Sequence, residues 1–598
     1  MATSFQESFV RLVDNIELGN YEQLRELLPE VPEKFNWVHD VFEPLIVSKH
    51  ADRVMLELVK EGDPAPITIT YRHALERANQ LLNLLRSEGV ETGDFAFVMC
   101  GLQEGLWLSY LAAIKGGLVL VPAASILWAE DIVYRFEKAT PQIILADSEN
   151  ADKMEEALAR YSRPVKIKLL FDGEREGWIG LNSIFKYSKK AEAAGTLKDS
   201  DLFWFFTSGT TGLPKVAVHT QASYPIGHLT TAAWIGLKPG DKHYNISQPG
   251  WAKFAWSCVF APLNMGATVF VYAAKGRFSA TGQLKVIQDY EVTTLCAPPT
   301  ALRLLIQEDL RAFKFSLREC VSAGEPLNAE VIKAWKDGTG LEIRDGYGQT
   351  ESTCMICNLP GLHPRFGSMG KPAFMYNMMI ADAEGNELPV HETGQIVVRH
   401  GKENFTGIFK CYVGDDEKQK EVFRHGLYYT GDKAYRDDDG YYWFVGRDDD
   451  VIKSSDYRIG PFEIESVLLE LEEVLESAVV GSPHAIRGQE VKAFVVLTHS
   501  ATGNGKLADK IFHYCKQHLA PYKIPRIIEF VPELPKTISG KIRRVELRAA
   551  EEHRKAHQEK RETEFSWPPD DISSKLSVKA IKPDLTLLCH SIDNRSLN

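Results

Sequence analysis

Between residues 71 and 146 the chain switches hydrophobic period repeatedly, and that alternation restricts the fold more than any other feature. Residues 71–87 (YRHALERANQLLNLLRS) carry Leu75, Ala78, Leu82 and Leu85 at helical spacing, and Gly89 ends the pattern. Residues 94–100 (DFAFVMC), 116–123 (GGLVLVPA) and 142–146 (QIILA) are short apolar runs of strand length. Amphipathic helices alternating with strands that are apolar on both faces predict an α/β body with largely parallel sheets. No period of 20–50 residues is apparent, which excludes a solenoid. The longest apolar stretch, 106–121, is interrupted by Lys115 and the Gly116–Gly117 pair. It reads as a buried helix running into a buried strand, too short and too broken to span a bilayer.

Near residue 385 the texture changes to short strands punctuated by glycine turns, as in EGNELP, GQIVVRH and GYYWFVG. This predicts a small antiparallel, barrel-like subdomain over about 375–445. A charged break follows at Gly446-Arg447-Asp448-Asp449-Asp450. Beyond it, 461–481 reads as helix then strand, 490–499 as a strand and 507–519 as an amphipathic helix. The expected organisation is a large N-terminal domain over 1–446 and a hinge at 447–450. A small α+β domain over 451–550 follows, then a charged helix and patternless tail over 551–598.

With 44% hydrophobic and 25% charged residues, the chain has enough apolar surface to fold, which excludes disorder of the whole. Its net charge of −12 exerts no global pull toward nucleic acid or anionic membrane, while leaving room for a local basic pocket. The nine cysteines are odd in number and mostly isolated, unlike a secreted disulfide framework. Cys354-x-x-Cys357 has redox or zinc spacing, but no second CxxC or paired histidines accompany it, so these read as ordinary buried thiols. The mixed polar and acidic N-terminus is unlike a secretory or transit peptide, and the expected location is cytoplasmic.

The strongest local signal is Thr207-Ser208-Gly209-Thr210-Thr211-Gly212-Leu213-Pro214-Lys215, directly after the apolar run 203–206. Glycines let backbone N–H groups approach a phosphate, hydroxyls add donors, and Lys215 adds positive charge. The spacing Gly209-x2-Gly212-x2-Lys215 is not that of a P-loop. Further along stand Ser322-Ala-Gly324-Glu325-Pro326-Leu327 and Asp345-Gly346-Tyr347-Gly348-Gln349-Thr350-Glu351. Tyr429-Thr-Gly-Asp432, the break containing Arg447 and Asp449, and Pro535-Lys-Thr-Ile-Ser-Gly-Lys541 complete the series.

Taken together and in this order, these segments resemble the phosphate, adenine-side, nucleotide, ribose, hinge and catalytic-lysine motifs of the adenylate-forming enzymes. That family includes acyl-CoA synthetases, peptide-synthetase adenylation domains and beetle luciferases, and the resemblance covers about residues 40–550. It implies a large N-terminal domain and a small mobile C-terminal one, with ATP, Mg2+ and a carboxylic acid as ligands. Tyr347 can stack on a purine and Asp345 can accept from its amino group. Thr350 can donate to a phosphate, and Glu351 can hold Mg2+ as a hard oxygen ligand. The resemblance implies that Asp432 accepts from both ribose hydroxyls and that Arg447 also reaches the ribose. It makes Asp449 the pivot, and Lys541 the catalytic lysine of adenylation.

The segment 453–463 (KSSDYRIGPFE) and the ending 520–525 (APYKIP) are most similar to medium-chain acyl-CoA synthetases of the bacterial and archaeal type. In that group Ser455, Asp456 and Tyr457 neighbour coenzyme A, Arg458 contacts the nucleotide phosphate, and Arg487 meets the CoA phosphate. Lys516 and Lys523 are weaker CoA candidates. Asp456 departs from the pattern, which commonly has a glycine that keeps the thiol channel open. The acyl pocket is expected around Trp234, Trp251, Lys253, Trp256, Cys296, Gly324 and Gly348, with a bulky tryptophan wall favouring a short, branched or aromatic acid.

The reading is an acid–thiol ligase that forms an acyl-adenylate from ATP and then passes the acyl group to CoA. The alternative is an adenylating enzyme that delivers to a carrier protein or another acceptor. A non-catalytic adenylate-binding regulator would have lost Lys541 or Glu351, and both are present. No nucleic-acid partner and no membrane span are expected, and a homodimer is left open.

Overall fold

The helix over Tyr71–Ser87 forms where the period placed it. The Thr70 side chain caps its N-terminus by accepting from the His73 amide, and Leu75, Ala78, Leu82 and Leu85 are buried along one face. Gly89, at φ +79°, takes the chain out of it. The apolar stretch 106–121 resolves into the helix Glu104–Gly116 and the strand Val119–Pro122. Gly117 joins them in the left-handed region, where a Cβ would lie 2.7 Å from Thr196 Cγ2. Lys115, which interrupts that stretch, is 3% exposed, and its Nζ donates to Glu43 Oε2 (2.8 Å) and Asn79 Oδ1 (2.9 Å). Among the described residues no helix is long and apolar enough to cross a membrane.

The computed structural model describes residues 4–207, 214–362, 364–399, 407–455, 457–537, 541–559 and 561–567. They divide into two compact units. The larger is Met1–Val451 with Lys536–Arg543, and the smaller is Ile452–Pro535 with Arg544–Asn598.

In the larger unit one sheet runs Cys411–Tyr412, Lys215–Thr220, Asp201–Thr207, Val119–Pro122, Phe95–Met99, Ile143–Ala146, Ile167–Leu170 and Ile179–Gly180. From Asp201–Thr207 to Ile179–Gly180 its pairings are parallel. A second sheet is parallel through its middle, with Ile343–Tyr347, Glu319–Ala323, Thr294–Ala297, Lys242–Asn245, Thr268–Ala273 and Val54–Lys60 side by side. Antiparallel strands close its two ends. The texture change near residue 385 corresponds to an antiparallel sheet of Met378–Ala381, Gly394–Arg399, Leu427–Arg436, Phe423–Arg424 and Tyr442–Arg447. Cys354 and Cys357 are free thiols buried in the core.

The smaller unit is α+β. Its sheet orders Tyr457–Ile459, Ile452–Ser454, Gly488–Leu497, Ile527–Phe530 and Glu564–Ser566, with Val474–His484 also paired to Gly488–Leu497. The helices Pro461–Leu469 and Gly505–His518 contribute Ile464, Leu468, Ile511 and Phe512 to its core. The residues after 550 do more than extend the chain. The helix Arg544–Ala556 belongs to this unit, Glu564–Ser566 adds a strand, and Phe565 and Trp567 pack on the core. Their charge density hides this in the sequence. Glu551 and Arg554 are 2% and 3% exposed because they face each other and the buried Lys492 rather than water.

Candidate active site

The phosphate-type loop connects two adjacent strands. Asp201–Thr207 and Lys215–Thr220 pair antiparallel with Thr207 opposite Lys215. Ser208, Gly209, Thr210, Thr211 and Gly212 lie outside the described residues. Lys215 Nζ sits 3.6 Å from Asp415 and 5.8 Å from the Tyr412 ring centroid.

The segment 345–351 leaves the edge of the parallel core of the second sheet and carries most of the polar geometry. The Tyr347 hydroxyl donates to Asp432 Oδ2 at 2.6 Å, and Gln349 Nε2 donates to the same oxygen at 2.6 Å and to the Thr430 carbonyl at 3.0 Å. The Tyr428 hydroxyl in turn donates to Gln349 Oε1 at 3.0 Å. Arg447 Nε lies 4.0 Å from Asp432 Oδ1 and 3.7 Å from Asp449 Oδ1. Burial raises the Asp432 pKa above the usual carboxylate range, against the lowering pull of Arg447, Tyr347, Gln349 and Lys541. Tyr347, Gln349, Asp432, Arg447 and Asp449 are therefore brought together although they span a hundred residues of sequence.

Glu351 accepts from the Tyr412 hydroxyl at 2.7 Å, and the carbonyl of Thr350 is bonded by His219 Nε2 at 2.7 Å. Burial holds His219 down at about 3, so its ring is neutral and donates from Nε2. Asp345 is buried, accepts from the Gly346 amide at 2.9 Å, and has its pKa raised by desolvation. Gly324 has φ +105°, and Glu325 lies 3.8 Å from Arg303. Pro326 follows, part-buried.

The expected acyl-pocket residues divide. Trp256 presses on Gly348, where a Cβ would come within 2.3 Å of its ring and of the Thr353 carbonyl oxygen. Trp234 instead packs beneath the segment 345–351. Its ring fills the space a Cβ on Gly346 would need, and its Nε1 donates to the Asp345 carbonyl at 3.2 Å. Trp251 is half-buried at the start of the helix Ala252–Ala255, and Cys296 is buried in the strand Thr294–Ala297. Lys253 is half-buried. It donates to the Ala323 carbonyl at 2.8 Å, and burial lowers its pKa.

Lys541 is bonded to Thr537. Its carbonyl accepts from the Thr537 amide (2.7 Å), its amide donates to Thr537 Oγ1 (3.1 Å), and Lys536 bridges to Ile542. The segment groups with the larger unit, and the Lys541 charge lowers the pKa of both Lys253 and Asp432. In the smaller unit Ser455 has φ +53°, and its amide donates to the Arg487 carbonyl at 2.9 Å. Tyr457 is half-exposed and stacks on Tyr522 at 4.3 Å. Arg458 is exposed, with its guanidinium 3.4 Å from the Tyr457 carbonyl. Asp456 lies outside the described residues. Lys516 is exposed, and Lys523 pairs with Glu463.

Reading the sequence missed His219, Gln349's partner Tyr428, and Tyr412. His219 lies on the strand after the phosphate-type loop and was within reach of a pattern argument. Tyr412 reaches Glu351 because Cys411–Tyr412 pairs with Lys215–Thr220 across some 190 residues, a contact that no local pattern encodes.

Comparison with known proteins gives a consistent answer. The profile of the family described as AMP-binding enzyme matches residues 46–413, and that of the AMP-binding enzyme C-terminal domain matches residues 463–541. The 4-hydroxybutyrate–CoA ligase 1 of Metallosphaera sedula is 45% identical over 568 residues, covering 94% of this chain and 99% of the relative. The mitochondrial acyl-coenzyme A synthetase ACSM3 of Rattus norvegicus is 38% identical over 543 residues, covering 89% and 93%. Among solved structures, the anthranilate CoA ligase AuaEII in complex with anthranoyl-AMP superposes with a TM-score of 0.79 at 28% identity, covering 88% of this chain and 99% of that one. A benzoate CoA ligase from Burkholderia xenovorans LB400 gives 0.74 at 27% identity, covering 86% and 100%.

Proposed function

The chain belongs to the AMP-binding enzyme family and is an AMP-forming acyl-CoA synthetase, and we propose that its acid is short- to medium-chain, branched or compactly aromatic. ATP activates the acid as an acyl-adenylate with loss of pyrophosphate, and CoA then takes the acyl group as AMP leaves. The observation that carries this reading is the network on Asp432. Tyr347, Gln349 and Arg447 converge on one buried carboxylate, which suits a ribose, beside a tyrosine ring that suits a purine.

The chemistry requires two anions to meet, the carboxylate of the acid and the triphosphate of ATP. The loop 207–215 supplies backbone and hydroxyl donors and the Lys215 charge. Lys541 neutralises charge as pyrophosphate departs. The neutral His219 ring holds the backbone carbonyl of Thr350, whose hydroxyl is the proposed donor to a phosphate. Mg2+ fits Glu351, a hard carboxylate whose orientation the Tyr412 hydroxyl holds, and when bound it would offset phosphate charge. Asp449 serves as pivot between the two half-reactions. Ser455, Tyr457 and Arg487, with Arg458 toward the nucleotide phosphate, serve the CoA step. The proposal includes a cytoplasmic site of action.

The test is a panel of C2–C12, branched and aromatic acids assayed for pyrophosphate release with and without CoA. Failure of every acid to release pyrophosphate would sink the reading, and release that CoA does not carry through to acyl-CoA would favour another acceptor.

Two substitutions separate binding from turnover. Asp432→Ala removes charge-assisted acceptors for ribose, so we expect the KM for ATP to rise by roughly 10- to 100-fold with kcat less affected. Glu351→Ala acts beside the reacting phosphate, so kcat should fall by roughly 100-fold. Steady-state kinetics on ATP check both, and a Glu351→Ala enzyme that only binds ATP more weakly contradicts the assignment.

The close packing of Trp256 on Gly348 supports reading Trp256 as the end wall of the acyl pocket. Each methylene that fits gains about 0.8 kcal/mol, roughly fourfold in kcat/KM, until the wall is met and overpacking reverses the trend. The unmodified enzyme should use palmitate poorly, and Trp256→Ala should move the optimum to longer chains. Efficient activation of a C16 acid by the unmodified enzyme would show that Trp256 is core only.

A further inference from the structure

The smaller unit contains a charge pair that the reaction scheme above does not use. Glu465 lies in the helix Pro461–Leu469, directly after the strand Tyr457–Ile459, and is 5% exposed. Arg544 opens the helix Arg544–Ala556 and grips both carboxylate oxygens of Glu465, with NH2 at 2.8 Å from Oε1 and 2.7 Å from Oε2, and Nε at 3.2 Å from Oε1. The remaining capacity of Oε1 is filled by the Val479 amide at 2.7 Å, and the Glu465 carbonyl accepts from Ser477 Oγ at 3.3 Å. Helix, sheet and guanidinium thus meet on one buried carboxylate, and a forked donor on a carboxylate fixes direction as well as distance.

The position of this pair in the chain gives it meaning. Arg544 stands three residues beyond Lys541, and three residues reach at most about 11 Å even when fully extended. The described residues around Lys541 are tied to one another by the Lys536–Ile542 bridge and the two Thr537–Lys541 hydrogen bonds, so an anchor three residues further along bears on how Lys541 is presented. Arg544, fixed on Glu465, is such an anchor along the chain.

We propose that Glu465 and Arg544 are positioning residues for Lys541, a buried clamp that aims that lysine during adenylation and has no part in the CoA step. The inference rests on the assignment of Lys541 to adenylation. It predicts a split that a merely structural pair would not produce. Misplacing a charge-stabilising group by about 1 Å costs on the order of 100-fold in rate, and only the half-reaction that uses Lys541 should feel it.

The experiment uses the full chain and measures two rates for each variant. One is acid-dependent pyrophosphate release. The other is acyl-CoA formation from CoA and the synthetic acyl-adenylate of the acid used best by the unmodified enzyme. Arg544→Met and Glu465→Gln should each lose about 100-fold in the first rate and keep the second within a few-fold, with the KM for ATP little changed. Arg544→Lys keeps the charge without the fork and should recover part of the loss. A parallel fall of both rates, or a first rate that is untouched, overturns the clamp. Should Arg544→Met fail to fold, as its melting profile would reveal, Arg544→Lys and Glu465→Gln decide by the same two rates. Lys541→Ala is the control that keeps the two ideas apart. If it leaves pyrophosphate release intact, the lysine assignment falls. If it abolishes release while the clamp variants do not lower it, the clamp alone falls.

Discussion

Lys541→Ala should cut acid-dependent pyrophosphate release by roughly 100- to 1,000-fold, the range observed when one preorganised charge-stabilising donor is removed. Acyl-CoA formation from a supplied acyl-adenylate should stay close to that of the unmodified enzyme. The reason is where charge develops. In the first half-reaction a carboxylate attacks a phosphate that already carries negative charge, and pyrophosphate leaves with more. In the second a thiol attacks a carbonyl, and AMP leaves a mixed anhydride that is already activated. Single-turnover measurement of each half separates them. The structure adds a secondary expectation. The Lys541 charge lowers the pKa of Asp432, so in Lys541→Ala the Asp432 carboxyl should titrate at a higher pH. Equal loss in both half-reactions would sink the division of labour.

Lys492→Met should destabilise the smaller unit by about 3–5 kcal/mol, because it leaves buried carboxylates without their central cation. Lys492 is fully buried and lies 2.7 Å from Glu529, 2.7 Å from Glu551 and 2.6 Å from Glu564. Three carboxylates at such spacing are also the arrangement of a metal site, but the ammonium of Lys492 stands among them, with Arg554 and Arg561 beside it. The contact with Glu529 Oε2 is ionic without hydrogen-bond geometry, whereas those with Glu551 and Glu564 are bonded, so the latter two should dominate the loss. Burial raises the Glu551 pKa, yet the hydrogen bonds from Arg554, Lys492 and Ser482 outweigh it and hold the group down at about 2, from an ordinary 4.5. A carboxyl lowered on folding stabilises the fold above its unfolded pKa and loses that contribution as the pH falls toward the folded one. The unmodified protein should therefore lose this stability between about pH 4.5 and pH 2. The deficit of Lys492→Met should be largest near neutral pH and shrink in acid, where protonated carboxyls no longer repel one another. Calorimetric unfolding at pH 7 and pH 4 checks both statements, and an unchanged midpoint at pH 7 would mean that the two arginines suffice.

How much of this was legible beforehand follows from the range over which each feature is encoded. The alternation over 71–146 announced parallel strands and covering helices, because periods of two and 3.6 are local properties of a strand and a helix. The segments 207–215, 345–351 and 535–541, proposed above as the nucleotide and lysine motifs, stood out in the sequence for a related reason. Approach of backbone to phosphate demands glycine and hydroxyl residues at close spacing, which leaves a dense local mark. Partnership leaves no such mark. That Asp432 would be shared by Tyr347 and Gln349, that Tyr412 would orient Glu351, and that Glu465 would receive Arg544 are contacts across 61 to 85 residues, set only when sheets and helices pack. The tryptophans make the same point. Trp234, Trp251 and Trp256 are equally bulky and apolar in the sequence, yet one fills the space beside Gly346, one stays half-buried and one presses on Gly348. Residues 544–567 mislead most plainly, because a run of charges signals a solvated helix unless the opposite charges are buried with it. Only the tertiary structure brings Lys492, Glu529, Glu551, Arg554 and Glu564 into one place, since the Coulomb attraction that offsets their desolvation acts through space and not along the chain.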